Sequence, residues 1–206
     1  MRERGISRNS LERLPRYLRF LYELREENVD FVSATTIAEH FGFGSIQVRK
    51  DIEQVSTTKG SAGKGFTLSV LIEDMEKFLG INNSNDIVLV GAGKLGGALL
   101  NYQGFGKDFK IVSAFDSDKS RCDNKKIFDI SELEKRVKAL NVHIAIITVP
   151  KYQAQSVCDK LVNCGIKVIW NFAPIHLKAP KDVVIKNEDL ASSLIVLLKN
   201  YELQNR

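Results

Sequence analysis

Three glycines in the run Gly91-Ala92-Gly93-Lys94-Leu95-Gly96 have the spacing of a backbone turn that holds a pyrophosphate. Gly91 allows a tight turn, Gly93 lets the main chain approach the phosphates, and Gly96 allows close packing of the helix that follows. The free amides and positive dipole end of that helix favour an anion. The glycine run follows the apolar stretch Asp86-Ile87-Val88-Leu89-Val90 and precedes Gly97-Ala98-Leu99-Leu100. A second apolar run, Lys110 to Phe115, ends at Asp116, an acid about 20 residues on, as a dinucleotide fingerprint requires. Asp116 is expected to accept hydrogen bonds from the adenosine ribose and to repel a 2′-phosphate, which favours NAD(H) over its phosphorylated form. A ligand-free glycine turn would leave the acid at that place unexplained. Thr148-Val149-Pro150 and Asn171-Phe172-Ala173-Pro174 each end a further apolar run. Ligands of doubly wound sheets lie outside the carboxyl ends of the strands, so these residues are expected to border the nicotinamide half.

A second group of residues could meet a polyanion. Ser45, Gln47, Arg49 and Lys50 follow a glycine-broken turn, and Lys59 and Lys64 lie in the tract Lys59-Gly60-Ser61-Ala62-Gly63-Lys64-Gly65. Glutamine and arginine can read base edges, and lysine can hold phosphates. The whole chain has 30 Lys plus Arg against 25 Asp plus Glu, a formal charge of +5. That total decides little, so the placement of the cations carries the reading. Arg2, Arg4, Arg8, Arg13, Arg16 and Arg19 crowd the first twenty positions. The plainer alternative is a small helical cap domain with solvated cations.

Other chemistry is poorly supplied. Cys122, Cys158 and Cys164 have no CxxC spacing, and His40, His143 and His176 are scattered, so neither a disulfide framework nor a metal site is expected. No run approaches the roughly 20 apolar residues that span a bilayer, and MRERGISRNS has no apolar signal core, which points to the cytoplasm. A dehydrogenase also needs groups that hold a substrate and move a proton. Lys151 reads as a surface lysine at a helix start, and His143 stands at the wrong end of its strand. The nucleotide reads as a ligand that is sensed. The alternative is a small NAD-dependent oxidoreductase, or a nucleotide-binding paralogue without DNA activity.

The elements that must position these residues divide into two sets. With 206 residues, 44% of them hydrophobic, the chain has room for two small domains. In residues 1–80, Leu14, Leu18, Leu21 and Leu24 step at helical spacing, with Pro15 expected in the first turn. Ser33 to Thr36 opens a second helix, and Gly42 and Gly44 precede a third, with the Ser45 hydroxyl available to cap it. The glycine-rich tract then reads as a mobile hairpin tip, which completes the layout of a winged helix-turn-helix. In residues 81–187, β-branched runs alternate with helices: Val142–Val149 stopped by Pro150, a helix over 152–164 closed by Gly165, then Ile166–Trp170 and Val183–Ile185. The expected fold is α/β with an α+β appendage, a winged helix before a Rossmann doubly wound parallel sheet. In residues 188–206, Leu190 to Leu198 form an apolar helix that packs into the core or into a partner subunit.

Taken in order, Tyr17-Leu18-Arg19, Gln47-Val48-Arg49-Lys50-Asp51, the Gly91 fingerprint, Asn101-Tyr102 with Gly104-Phe105-Gly106, Ala114 to Asp118, Thr148-Val149-Pro150, Asn171 to Pro174 and Glu188-Asp189-Leu190 resemble the bacterial redox-sensing repressor family Rex. The resemblance covers nearly the whole chain. It implies a homodimer on double-stranded operator DNA, a C-terminal helix swapped between subunits, and release by NADH, so that the NADH/NAD+ ratio is read. It further implies a switch in which Asp189 exchanges partners between Arg19 and Tyr102, while Leu190 enters the partner's nicotinamide pocket. The segment Ile52 to Thr58 and the wing Ala62 to Phe66 depart from the family pattern, with Lys64 where an arginine fork is usual.

Overall fold

A computed structural model of the chain describes residues 6–61, 63–81, 85–106 and 109–205. The chain divides into two compact units, Met1–Asn83 and Ser84–Arg206. Arg2, Arg4 and Ala62 lie outside the described residues.

The first unit begins with α1 (Arg8–Glu26), capped by the Ser7 hydroxyl, which accepts the Ser10 amide. Because the helix starts at Arg8, Pro15 lies inside it rather than in its first turn. The missing N–H leaves the Leu11 carbonyl without its helical donor, on a turn where Leu11 is exposed. Next come β1 (Phe31–Val32), α2 (Ala34–Phe41), α3 (Ser45–Val55), β2 (Phe66–Thr67) and α4 (Leu68–Leu79). Ser33 caps α2 as its position suggests, and Gly42 ends it in the left-handed region. The cap of α3 is Gly44, with no side-chain bond. Ser45 is already the first helical residue, so its hydroxyl does not cap. β1 and β2 pair antiparallel and Ser61 bridges Gly65, which makes the wing. Leu14, Tyr17, Leu21, Ile37, Ile52 and Met75 form one buried core under these helices.

The second unit is a six-stranded parallel sheet in the order β5-β4-β3-β6-β7-β8. Its strands are β3 (Asn85–Val90), β4 (Phe109–Asp116), β5 (Ile127–Asp129), β6 (Ile144–Ile147), β7 (Val168–Asn171) and β8 (Val184–Asn187). The chain leaves β3 toward β4 on one side and later returns to β6 on the other, which creates the switch point of a doubly wound fold. α6 (Leu133–Leu140) and α7 (Lys151–Asn163) bury Val88, Val90, Phe115, Ala145 and Ile147 on one face. On the other face α5 (Lys94–Leu100) is joined by partly buried aromatics, Phe105, Trp170 and Phe172, over Ile87, Leu89 and Ile146. The run Val142–Val149 pairs only over Ile144–Ile147, because Thr148 turns out of the sheet with its N–H on the Val90 carbonyl. α8 (Leu190–Gln204) has no buried residue.

Candidate dinucleotide crevice and nucleic-acid interface

The crevice opens where the carboxyl ends of β3 and β6 diverge, a cavity of about 500 Å³. Its walls include Gly91, Gly93, Asp116, Ser117, Asp118, Arg121, Thr148, Val149, Pro150, Tyr152 and Gln153. Gly91 has φ of 103°, and a Cβ there would stand 2.8 Å from the Thr148 carbonyl carbon. No other residue fits that backbone. A Cβ on Gly96 would collide with the Gly91 carbonyl and the Thr148 hydroxyl, so the third glycine lets α5 close onto its own loop. At Gly93 the only atom of the described residues within reach of a Cβ is Arg121 Nη1, at 3.6 Å. The space a side chain would take is left open toward the crevice, as a backbone that cradles phosphate requires. Ala92, Lys94 and Leu95 complete the loop and the first turn of α5.

Asp116 has a task within the fold that its sequence position does not announce. Its carboxylate is buried, with Oδ2 accepting the Ala92 amide at 2.7 Å and Oδ1 accepting the Asp118 amide at 2.8 Å. It fastens the glycine loop to the end of β4 and also lines the crevice. Thr148 is also a fastener: its hydroxyl donates to the Gly91 carbonyl at 2.7 Å. Asn171 is wholly buried, accepts the Ala173 amide, and donates to the Ala173 and Ile175 carbonyls and to Asn187. Its amide therefore shapes the turn after β7. Phe172 packs on Trp170 with ring centres 4.6 Å apart, and Ala173 is buried. None of Asn171, Phe172, Ala173 and Pro174 is among the walls of the crevice. Asp118, Arg121, Tyr152 and Gln153 are wall residues to which the sequence assigned no role. Arg121 follows Asp116 by five in a short 3₁₀ turn, Lys119–Arg121, where no periodicity marks it.

In the first unit, Val48, Asp51, Ile52 and Val55 form the buried stripe of α3. Ser45, Gln47, Arg49 and Lys50 are exposed on its other side. Among the described residues no carboxylate pairs with Arg49 or Lys50. Arg49 shares a groove with the wing residues Lys59, Gly60 and Ser61. Lys64 bends over the Phe31 ring, 5.5 Å from its centre. What sequence reasoning missed is how α3 is held. Asp51, nearly inaccessible, accepts two bonds from Arg13 at 2.7 and 2.9 Å and one from the Tyr17 hydroxyl at 3.0 Å. Burial pushes the Asp51 carboxyl up, and the bonds from Arg13, Ser10 and Tyr17 outweigh it, leaving the group below its ordinary range. Burial, then the bond to Asp51, lifts the Tyr17 hydroxyl to about 12. Turned to its satisfied orientation, the Gln47 amide oxygen accepts from Arg13 at 3.0 Å, so the same guanidinium steadies this exposed side chain of α3. Asp74 of α4 plays a like part at the start of the wing, accepting from the Thr57 amide and hydroxyl.

The residues expected to form a switch are scattered over both units. Arg19 is exposed on α1. Tyr102 is 56% exposed, its ring edge-on to Phe105. Asp189 caps α8, accepting the Ser192 amide at 2.9 Å and hydroxyl at 2.6 Å. These bonds hold its carboxyl below the usual range. Leu190 is 64% exposed.

A sequence family described as "Putative DNA-binding protein N-terminus" matches residues 5–53, and one described as "CoA binding domain" matches residues 82–175. A DNA-binding head joined to a Rossmann-type sheet defines a class, the nucleotide-responsive transcription regulators. The redox-sensing transcriptional repressor Rex of Clostridium perfringens is 37% identical over 202 residues, covering 96% of this chain and 95% of its own. That of Clostridium botulinum is 39% identical over 201 residues, covering 95% of each. The chain belongs to the Rex family of redox-sensing transcriptional repressors. The crystal structure of RSP, a Rex-family repressor, superposes with a TM-score of 0.85 at 32% identity, covering 98% of this chain and 96% of that one. RSP with β-NAD+ and operator DNA gives 0.88 at 33% identity, with the same coverage. RSP with β-NADH gives 0.83 at 33% identity, covering 97% of each chain. Among the described residues no helix is long and apolar enough to cross a membrane.

Proposed function

We propose that this chain, as a homodimer, holds double-stranded operator DNA and lets it go when NADH fills the crevice, so that the NADH/NAD+ ratio sets transcription. The carrying observation is a winged helix and an open, glycine-lined crevice on one chain that matches Rex repressors along nearly its whole length. RSP, whose complexes hold β-NAD+ with operator DNA and β-NADH, supports the choice of ligands.

Gln47, Arg49 and Lys50 enter the major groove from α3, with Ser45 at the helix start, while Lys59 and Lys64 on the wing hold the backbone. Gly91, Ala92 and Gly93 bring main chain against the pyrophosphate, with Lys94, Leu95 and Gly96 beginning α5. Asp116, Thr148 and Asn171 keep that loop and the neighbouring strand ends in shape, and Val149, Pro150, Phe172, Ala173 and Pro174 belong to those ends. α8 is exchanged between subunits. Its large apolar side chains are 57–67% exposed in the single chain, far more apolar surface than one soluble helix normally shows. Asp189 at its start then exchanges between Arg19 and Tyr102, and Leu190 reaches the partner's crevice. A bound nicotinamide supplies a positive charge when oxidised and none when reduced, a difference that a nearby carboxylate and guanidinium feel. A palindromic operator selected from random DNA, with half-sites about one helical turn or a multiple apart, provides the test. Fluorescence anisotropy should show tight binding without NADH and release at saturating NADH. Binding that ignores NADH would sink the proposal.

A further inference from the structure

At the carboxyl end of β4 the crevice carries two carboxylates and one guanidinium, placed for different tasks. The Asp116 side chain is 6% exposed, and both its oxygens are taken by backbone amides of the loop and the turn. The Asp118 side chain is 46% exposed on the crevice wall. Its Oδ1 accepts the Ser120 hydroxyl at 2.6 Å and amide at 3.0 Å. The hydroxyl bond first, and then the amide bond, keep this carboxyl below its usual range and ionised at neutral pH. Arg121 Nε lies 3.4 Å from Asp118 Oδ2, and Nη1 lies 3.3 Å from Asp116 Oδ2. The same Nη1 is the atom nearest the open space at Gly93. The guanidinium thus spans from the acids to the place where phosphate passes.

We infer that Asp118, with Arg121 docked on it, sets the choice between NADH and NADPH, and that Asp116 only positions the glycine loop. The inference rests on the dinucleotide reading of the crevice. A ribose diol brings two O–H donors, and Asp118 is the acid with open acceptor capacity to meet them. A 2′-phosphate brings only acceptors and about −1.5 to −2 of charge. It meets the Asp118 carboxylate and finds the Arg121 fork already turned toward two acids. Neutralising Asp118 leaves Arg121 with a single partner, buried Asp116, and a free edge suited to phosphate. Selectivity for the unphosphorylated nucleotide is therefore a matter of how Arg121 is occupied.

Calorimetric titration of NADH and NADPH into the full chain tests this with Asp118→Asn, Asp118→Asn combined with Arg121→Gln, and Asp116→Asn. Asp118→Asn should shift the affinity ratio toward NADPH by roughly tenfold or more, and adding Arg121→Gln should remove most of that gain. Asp116→Asn should weaken both nucleotides alike and leave the ratio within about threefold of the parent. If the buried Asp116 variant fails to fold, the two surface variants decide alone. An Asp118→Asn ratio within about threefold of the parent overturns the assignment but leaves the dinucleotide reading standing, as does an Asp116→Asn shift as large as that of Asp118→Asn. A parent chain that binds neither nucleotide overturns both.

Discussion

Replacing Leu194 and Leu198 of α8 by glutamate should split the dimer into folded monomers. The two side chains are i and i+4 neighbours on one face, 67% and 59% exposed in the single chain. Full burial of a leucine stabilises by about 1.5–3 kcal/mol, so covering the remaining surface contributes about 1–2 kcal/mol at each position. Together they supply about 2–4 kcal/mol per helix, and a two-fold dimer contains the helix twice, giving about 4–8 kcal/mol. At 1.4 kcal/mol per tenfold, the dissociation constant should rise by about 10³ to 10⁶, before any cost of burying the carboxylates. Sedimentation velocity over a concentration series reads this directly. Circular dichroism should keep the parent's signal for the two units and lose at most that of α8, because α8 buries nothing within its own chain and a short unpacked helix is marginal in water. A variant that sediments as a dimer with the parent's dissociation constant would refute the exchange of α8.

Other expectations concern the two sites and their coupling. Asp51→Asn leaves Arg13 without its ionic partner in a nearly buried pair and should destabilise the winged-helix unit by about 3–5 kcal/mol, measured by urea unfolding. Because the folded Asp51 carboxyl titrates below its ordinary range, its contribution is complete above that range and is lost only as pH falls through the lowered value. Stability between pH 5 and 7 should therefore not depend on Asp51 protonation, and a loss in that window that Asp51→Asn abolishes would contradict the assignment. Arg49→Ala should weaken the selected operator by about 1–3 kcal/mol and relax its sequence preference, whereas Lys64→Ala should lower the salt slope by about one. Parent-like binding by both variants would mean that α3 and the wing do not touch DNA. Arg19→Ala or Asp189→Ala should keep both NADH and operator affinity yet blunt release. Full release by both variants on NADH addition would place the switch elsewhere.

Much of the fold was legible because the signals are local. The glycine fingerprint depends on spacing within six residues, and each glycine answers a contact with Gly91, Thr148 or open space. Likewise the α3 stripe of Val48, Ile52 and Val55 follows from helical periodicity. What was illegible depends on where side chains turn in the packed unit. Asp116 has the chemistry and position for a ribose, but that its carboxylate also ties down the Ala92 amide depends on how the loop folds back, which no spacing announces. Asn171 ends its strand as a ligand-facing residue would, yet the chain curls around it and consumes its hydrogen bonds. Arg121 and Asp118 were hidden in a polar loop whose shape no pattern announces. Pro15 shows a related failure, since α1 runs through it with the loss of one backbone donor.

The most direct test of redox sensing holds the total nicotinamide pool constant and varies only the NADH/NAD+ ratio while operator occupancy is followed by anisotropy. Occupancy should fall in a single sigmoidal step as the ratio rises, and the midpoint should stay at the same ratio when the pool is doubled. A midpoint that follows the absolute NADH concentration, or an occupancy that stays flat, would contradict the account of this chain as a sensor of the ratio.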